Sequence, residues 1–152
     1  MYKYLLEVTS FLGNLFYKKN KQLEIDFYNY GQSPEDISRY FHDNNFESKD
    51  DLVYFDMIYK ISVFLRKKVG DCDDHAYAFY QWLKRRNYEC YLVGIFKDFK
   101  KGHCICIYKT PDVLYNYTTN KDIVKGLSSI RNCIDSVYPE YMYYEILDKH
   151  QI

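Results

Sequence analysis

Gly70-Asp71-Cys72-Asp73-Asp74-His75-Ala76 sits where the chain changes from turn to helix and puts a thiol at the change. Downstream, Ala76, Phe79, Tyr80 and Leu83 recur at i, i+3, i+4 and i+7, the spacing of one buried helical face. Asp71 is a good N-cap and Asp74, three residues on, an acidic form of the capping-box partner. Cys72 is therefore predicted at the first helical position of a helix running to about Arg86. There the unpaired backbone N–H groups and the positive end of the helix dipole favour thiolate over thiol. The carboxylates of Asp71, Asp73 and Asp74 oppose it unless capping and solvent absorb their charge. Most free cysteines are small hydrophobes with no chemistry, so Cys72 acquires meaning only from partners.

Upstream, the spacing predicts helices. Met1 to Asn20 carries Leu5, Val8, Leu12 and Leu15 on one side but is interrupted by Glu7 and lacks a small-residue cleavage site, so it reads as an amphipathic helix and not a signal peptide. Leu23 to Tyr30 is a short mixed segment closed by Gly31. Ser33-Pro34-Glu35-Asp36 announces a helix start with cap, first-turn proline and capping-box acid. Leu52 to Leu65 or Arg66 traces a third helix.

From Glu89 the pattern turns extended. Cys90–Phe96 and His103–Tyr108 are rich in β-formers and are expected to pair as a hairpin through the loop 97–102. Val113–Thr118 follows the Pro111-Asp112 turn as a third strand, Asn120 is expected to cap a helix from Lys121 to about Ile130, and Tyr141–Leu147 reads as a last strand. Helices first and an antiparallel sheet after give an α+β fold.

The chain has 152 residues, with Lys plus Arg equal to Asp plus Glu at 21 each, so no global field directs it to nucleic acid or to an anionic membrane. No internal repeat or linker divides it, and one domain over 1–152 is expected. Five cysteines without a CxxC pair indicate neither a disulfide framework nor a zinc site. No stretch is apolar enough for a transmembrane helix. The expectation is a soluble, reduced, cytoplasmic protein.

A cysteine nucleophile needs an imidazole within hydrogen-bond reach and a polar group to orient that ring. Strand alternation groups His103 with Ile105 and Ile107, and Cys104 with Cys106 and Tyr108. If the first group faces the cysteine helix, His103 points at its N-terminus. On the next strand Asn116 is placed to bond His103. Cys104 and Cys106 then face away as packing residues, Trp82 packs, and His75, one turn beyond the thiol, lies on the helix surface or lines the cleft.

Gly70-Asp71-Cys72-Asp73-Asp74-His75-Ala76, followed by Gly102-His103 and by Leu114-Tyr115-Asn116, resembles the signature and strand order of the transglutaminase-like superfamily. It is most similar to its bacterial transglutaminase-like cysteine peptidases. The resemblance covers about Gly70 to Thr119. It implies a papain-like α+β fold, with N-terminal helices and the nucleophile helix packed on a small antiparallel sheet. It also implies Cys72 as nucleophile, His103 as general base and acid, and Asn116 as orienting residue. The family usually carries Asp in the third place, which keeps Asp112 in reserve. Cleft or oxyanion support is expected from Gln32 or His75, beside the Cys72 backbone N–H. Some relatives hold calcium at acids flanking the nucleophile, here Asp71 and Asp73, although capping accounts for both; no other cofactor is implied. The implied partner is a peptide or protein substrate, whose peptide, isopeptide or side-chain amide bond passes through a Cys72 acyl-enzyme. The rival expectation is a non-catalytic binding or scaffold domain on the same fold.

Overall fold

The computed structural model describes residues 20–49, 58–98 and 101–147. The expected Met1–Asn20 helix falls almost wholly outside them, as does the Leu52–Phe55 part of the third expected helix. Among the described residues the fold is α+β, with five helices and a five-stranded antiparallel sheet.

Among the described residues three helices precede the thiol. Helix α1 (Lys21–Asn29) starts at Asn20, whose side chain accepts from Leu23 N, so the segment expected to be mixed is helical. Helix α2 (Pro34–Asp43) has the full capping box: the Ser33 hydroxyl accepts from Asp36 N, and the Asp36 carboxylate accepts from Ser33 N. A two-residue strand β1 (Glu47–Ser48) then leads on, past the undescribed 50–57, to α3 (Ile61–Lys67). Residues 58–60 are not helical, and α3 begins later than its spacing suggested. Ile61 to Leu65 are all buried, so α3 is a core helix. It ends at Lys68 in the left-handed region, φ 55°.

The chain then forms β2 (Val69–Gly70), parallel to β1, and enters α4 (Cys72–Lys84). Gly70 is required here by space. A Cβ on it would lie 2.5 Å from Asp74 Oδ2 and 2.9 Å from the Phe64 ring, closer than carbon packs. Ala76, Ala78, Phe79, Trp82 and Leu83 of α4 are buried. Phe79 and His75 meet Phe41 of α2, with ring centroids 5.4 and 5.6 Å apart, so the helices form one layer.

The sheet runs β6-β5-β4-β3-β7, from β3 (Cys90–Phe96), β4 (Gly102–Lys109), β5 (Tyr115–Thr119), β6 (Asp122–Leu127) and β7 (Tyr143–Ile146). The helix expected over Lys121–Ile130 is instead β6 and the start of α5 (Ile130–Val137). Asn120, at φ 50°, turns the chain so tightly that Thr119 pairs with Asp122. The helix starts later, where Ser129 accepts from Asn132 N.

Each sheet face has its own core. Leu92, Cys104, Cys106 and Tyr108 pack with the helical layer, whereas Val93, Ile95, Ile105, Ile107 and Tyr117 pack with Cys133 and Ile134 of α5. The face toward the cysteine helix is therefore the Cys104 face and not the Ile105 face, which corrects the expected orientation.

Candidate functional site

Cys72 occupies the first position of α4, half-buried, and the Asp71 side chain caps the helix by accepting from Asp73 N at 3.1 Å. Asp74 does not reach back to complete a capping box. It turns inward, where Oδ1 accepts the backbone N–H of Tyr59 at 2.7 Å.

The sulfur lies where β4 and β5 separate. Their backbone pairing is confined to Ile107–Tyr117, Tyr108–Asn116 and Lys109–Tyr115. Beyond it, Cys106 N donates to Thr118 Oγ1 at 3.1 Å, and Cys104 N donates to Cys72 Sγ at 3.3 Å. A side chain from the neighbouring helix thus takes up a strand donor that a paired strand would have satisfied. Beside Cys104 is His103, half-buried, with Nε2 hydrogen-bonded to Thr119 Oγ1 at 3.2 Å. Burial pushes the His103 imidazole below its ordinary value, and the charge of Asp71 pulls it back in part. At the fork between β4 and β5 the Cys72 sulfur meets the backbone of Cys104, while the ring of the preceding His103, which alternation turns to the Ile105 face and away from the expected direction, bonds Thr119 and senses the Asp71 charge.

Asn116 is not in this group. Its register partner is Tyr108, five residues along β4 from His103, or about 17 Å at strand rise. Its Nδ2 donates to the Tyr108 hydroxyl at 3.2 Å, and its Oδ1 accepts from Gly126 N at 2.9 Å, where the β5–β6 ladder shifts register. Asn116 thus ties a bulge, and the expected His103–Asn116 bond does not form. Asp112 lies exposed in the turn after β4, farther still from His103. Gln32 is exposed near the far end of α4, since Arg86 just beyond that helix donates to the carbonyl of the adjacent Gly31 at 3.1 Å. Thirteen helical residues, about 20 Å, separate it from the thiol, too far for oxyanion support.

His75 lines no cleft and lies on no surface. It is fully buried between Phe41 and Phe64, with Nδ1–H donating to the Asp71 carbonyl at 2.8 Å. Burial holds its imidazole below the ordinary value, the effect of nearby Lys121 adds to this, and the Asp71 carbonyl and charge oppose it. Its Nε2 makes no hydrogen bond among the described residues. His75 is a neutral ring that braces the turn presenting Cys72.

Asp71, Asp73 and Asp74 offer carboxylate oxygens within 4.8 Å of one another. Hard oxygens of this kind suit calcium, but Asp71 and Asp74 already accept backbone N–H bonds and serve the helix start without an ion. No helix among the described residues is long and apolar enough to cross a membrane.

Comparison with protein-family models, curated proteins and solved structures gives no match.

Thr119 is the residue that sequence reasoning missed, yet a signal existed. Carrying the Tyr108–Asn116 pairing along both strands puts Thr119 opposite Ile105, on the same side of β4 as His103 and one diagonal step from it, whereas Asn116 lies five residues away. Polarity drew attention to Asn116, and register decides for Thr119.

Proposed function

We propose that this chain is a small transglutaminase-like domain that attacks an amide carbonyl through Cys72. One observation carries the reading: the Cys72 sulfur at a helix start lies 3.3 Å from the backbone N of Cys104, the residue that follows His103, whose ring is held by Thr119. With Nε2–H donating to Thr119, His103 keeps Nδ1 as a base, and its burial favours the neutral ring that can accept a proton. In the proposed reaction His103 takes the thiol proton as Sγ bonds to the carbonyl carbon. The protonated ring then passes that proton to the departing amine as the C–N bond breaks, and a water deprotonated by His103 cleaves the thioester. The backbone N–H of Cys72, at the positive end of α4, is the proposed oxyanion donor. The substrate is a peptide or protein amide, whether main-chain, isopeptide or side-chain, and the chemistry asks for no cofactor. A reducing, cytoplasmic setting suits thiols that all stay free among the described residues.

A second reading, a scaffold on the same fold, is favoured by one observation. Thr119 is a neutral hydroxyl and cannot balance an imidazolium as a carboxylate does, leaving Asp71 as the charge that acts on the ring.

The discriminating experiment incubates the protein with p-nitrophenyl acetate at pH 7 and measures both the release burst and the mass of the Cys72 peptide. The enzyme reading expects an acetyl adduct on Cys72 whose formation falls at least about tenfold in His103→Ala. Equal labelling in wild type and His103→Ala, or none at Cys72, establishes the scaffold.

A further inference from the structure

Cys104 was placed by sequence among packing residues facing away from the site, but the structure turns its side of β4 toward the cysteine helix. Cys104 is 6% exposed and belongs to the cluster against which Cys72 packs. Because Cys72 Sγ is 3.3 Å from Cys104 N, it is at most about 4.8 Å from Cys104 Cα, so the sulfur already sits beside the residue it would join. The two thiols differ in access. Cys72 is half-buried at a helix start, whereas Cys104 is enclosed on a central strand. An accessible thiol backed by a sheltered one is the arrangement of an oxidation-sensitive cysteine and its resolving partner.

We propose that Cys72 and Cys104 form a reversible peroxide-responsive pair, with hydrogen peroxide as oxidant. The Cys72 thiolate attacks one peroxide oxygen; the S–O bond forms, the O–O bond breaks, and hydroxide leaves. The sulfur is oxidised by two electrons to a sulfenic acid and the peroxide is reduced. The Cys104 sulfur, giving up its proton, then attacks the Cys72 sulfur. The S–S bond forms, the S–O bond breaks, and the hydroxyl departs with the proton as water. The disulfide removes the thiol from acyl transfer and shields it from irreversible oxidation until a dithiol reductant restores it. This inference shares with the proposed function only the reactivity of Cys72, and one experiment reads the two separately.

The reduced full-length protein is exposed to stoichiometric hydrogen peroxide with dimedone present, then digested without reductant and analysed by mass spectrometry. Wild type is expected to lose two hydrogens, yield a Cys72–Cys104 linked peptide that dithiothreitol cleaves, and carry dimedone on Cys72 only in traces. In Cys104→Ser the link disappears and dimedone on Cys72 becomes the main product; Cys104→Ala gives the same result if the serine variant does not fold. The proposal is overturned if wild type links Cys72 to another cysteine, accumulates sulfinic acid, or shows equal dimedone labelling with and without Cys104. A link that survives in Cys104→Ala also overturns it, because the backbone nitrogen would then be the trap. If wild type acetylates at Cys72 yet forms no Cys72–Cys104 link, this inference fails while the acyl-transfer reading stands.

Discussion

Acid will weaken this fold before its carboxylates titrate, and replacing His75 by Asn should remove much of the effect. The imidazole is fully buried, and burial lowers its proton affinity below the ordinary histidine value near 6.5. The unfolded chain therefore binds a proton that the folded chain refuses. Stability contributed by the neutral ring is fully present above about pH 6.5 and is lost as pH falls toward the lowered folded value. Over that window one such group gives a slope of at most about 1.36 kcal/mol per pH unit, and so no more than about 1.4 kcal/mol between pH 7.5 and 5.5. His103 acts in the same direction, so wild type can lose up to about twice that amount over the same interval. Glu35 and Asp36 are also lowered in the fold, but their contribution is lost only below the carboxylate range, outside this interval. Asn at position 75 keeps an N–H for the Asp71 carbonyl and does not titrate. It leaves a gap between Phe41 and Phe64 that lowers stability by an amount independent of pH, so the slope isolates the proton. Urea unfolding followed by tryptophan fluorescence at half-unit steps from pH 7.5 to 5.5 measures it through the buried Trp82. If His75→Asn retains the wild-type slope, the neutral buried ring is not the source and the reasoning fails.

Thr119→Val should slow Cys72 acetylation by roughly two- to tenfold, the value of one neutral hydrogen bond, whereas Asn116→Ala should leave the rate alone and lower the urea midpoint. Thr119→Asp puts a carboxylate beside the ring and should raise the pH at which His103 titrates by NMR, the reverse of the effect of burial in the wild type. Gly70→Ala should cost about 1–3 kcal/mol in urea unfolding, because its methyl group meets both Asp74 and Phe64; a neutral result would contradict the packing at the entry to α4.

How far the sequence could be read depended on whether the signal was local. Ser33 and Asp36 make a cap within four residues, and the spacing from Ala76 to Leu83 makes a helical face, so α2 and α4 were legible. The alternation in Cys90–Phe96 and His103–Tyr108 was equally plain, and β3 and β4 pair as expected. Asn120 misled because its side chain suits both a helix cap and a left-handed turn. Only the pairing of Thr119 with Asp122 decides between them. The following helix was legible afterwards in Ile130, Cys133, Ile134 and Val137 behind Ser129, a pattern obscured once Lys121–Ile130 had been taken for the helix. In the candidate site the positions of Cys72 and His103 followed from local rules. Which face of β4 meets α4 did not, since isoleucines and cysteines are both apolar and only the packing of the layers tells them apart. His75 was misjudged for the same reason, as nothing local distinguishes a surface histidine from one enclosed by Phe41 and Phe64.

The bond from Cys104 N–H to the Cys72 sulfur also gives the protein a spectroscopic reporter. An amide proton donating to sulfur senses the electron density there, so the Cys104 resonance should shift when the thiol ionises, is acylated or is alkylated. Alkylation also leaves that amide without its acceptor, and its exchange with solvent deuterium should quicken while the amides of Ile105 and Ile107 stay protected. The chemical state of the Cys72 thiol is thereby written into the backbone of a central strand, where it can be followed without a substrate.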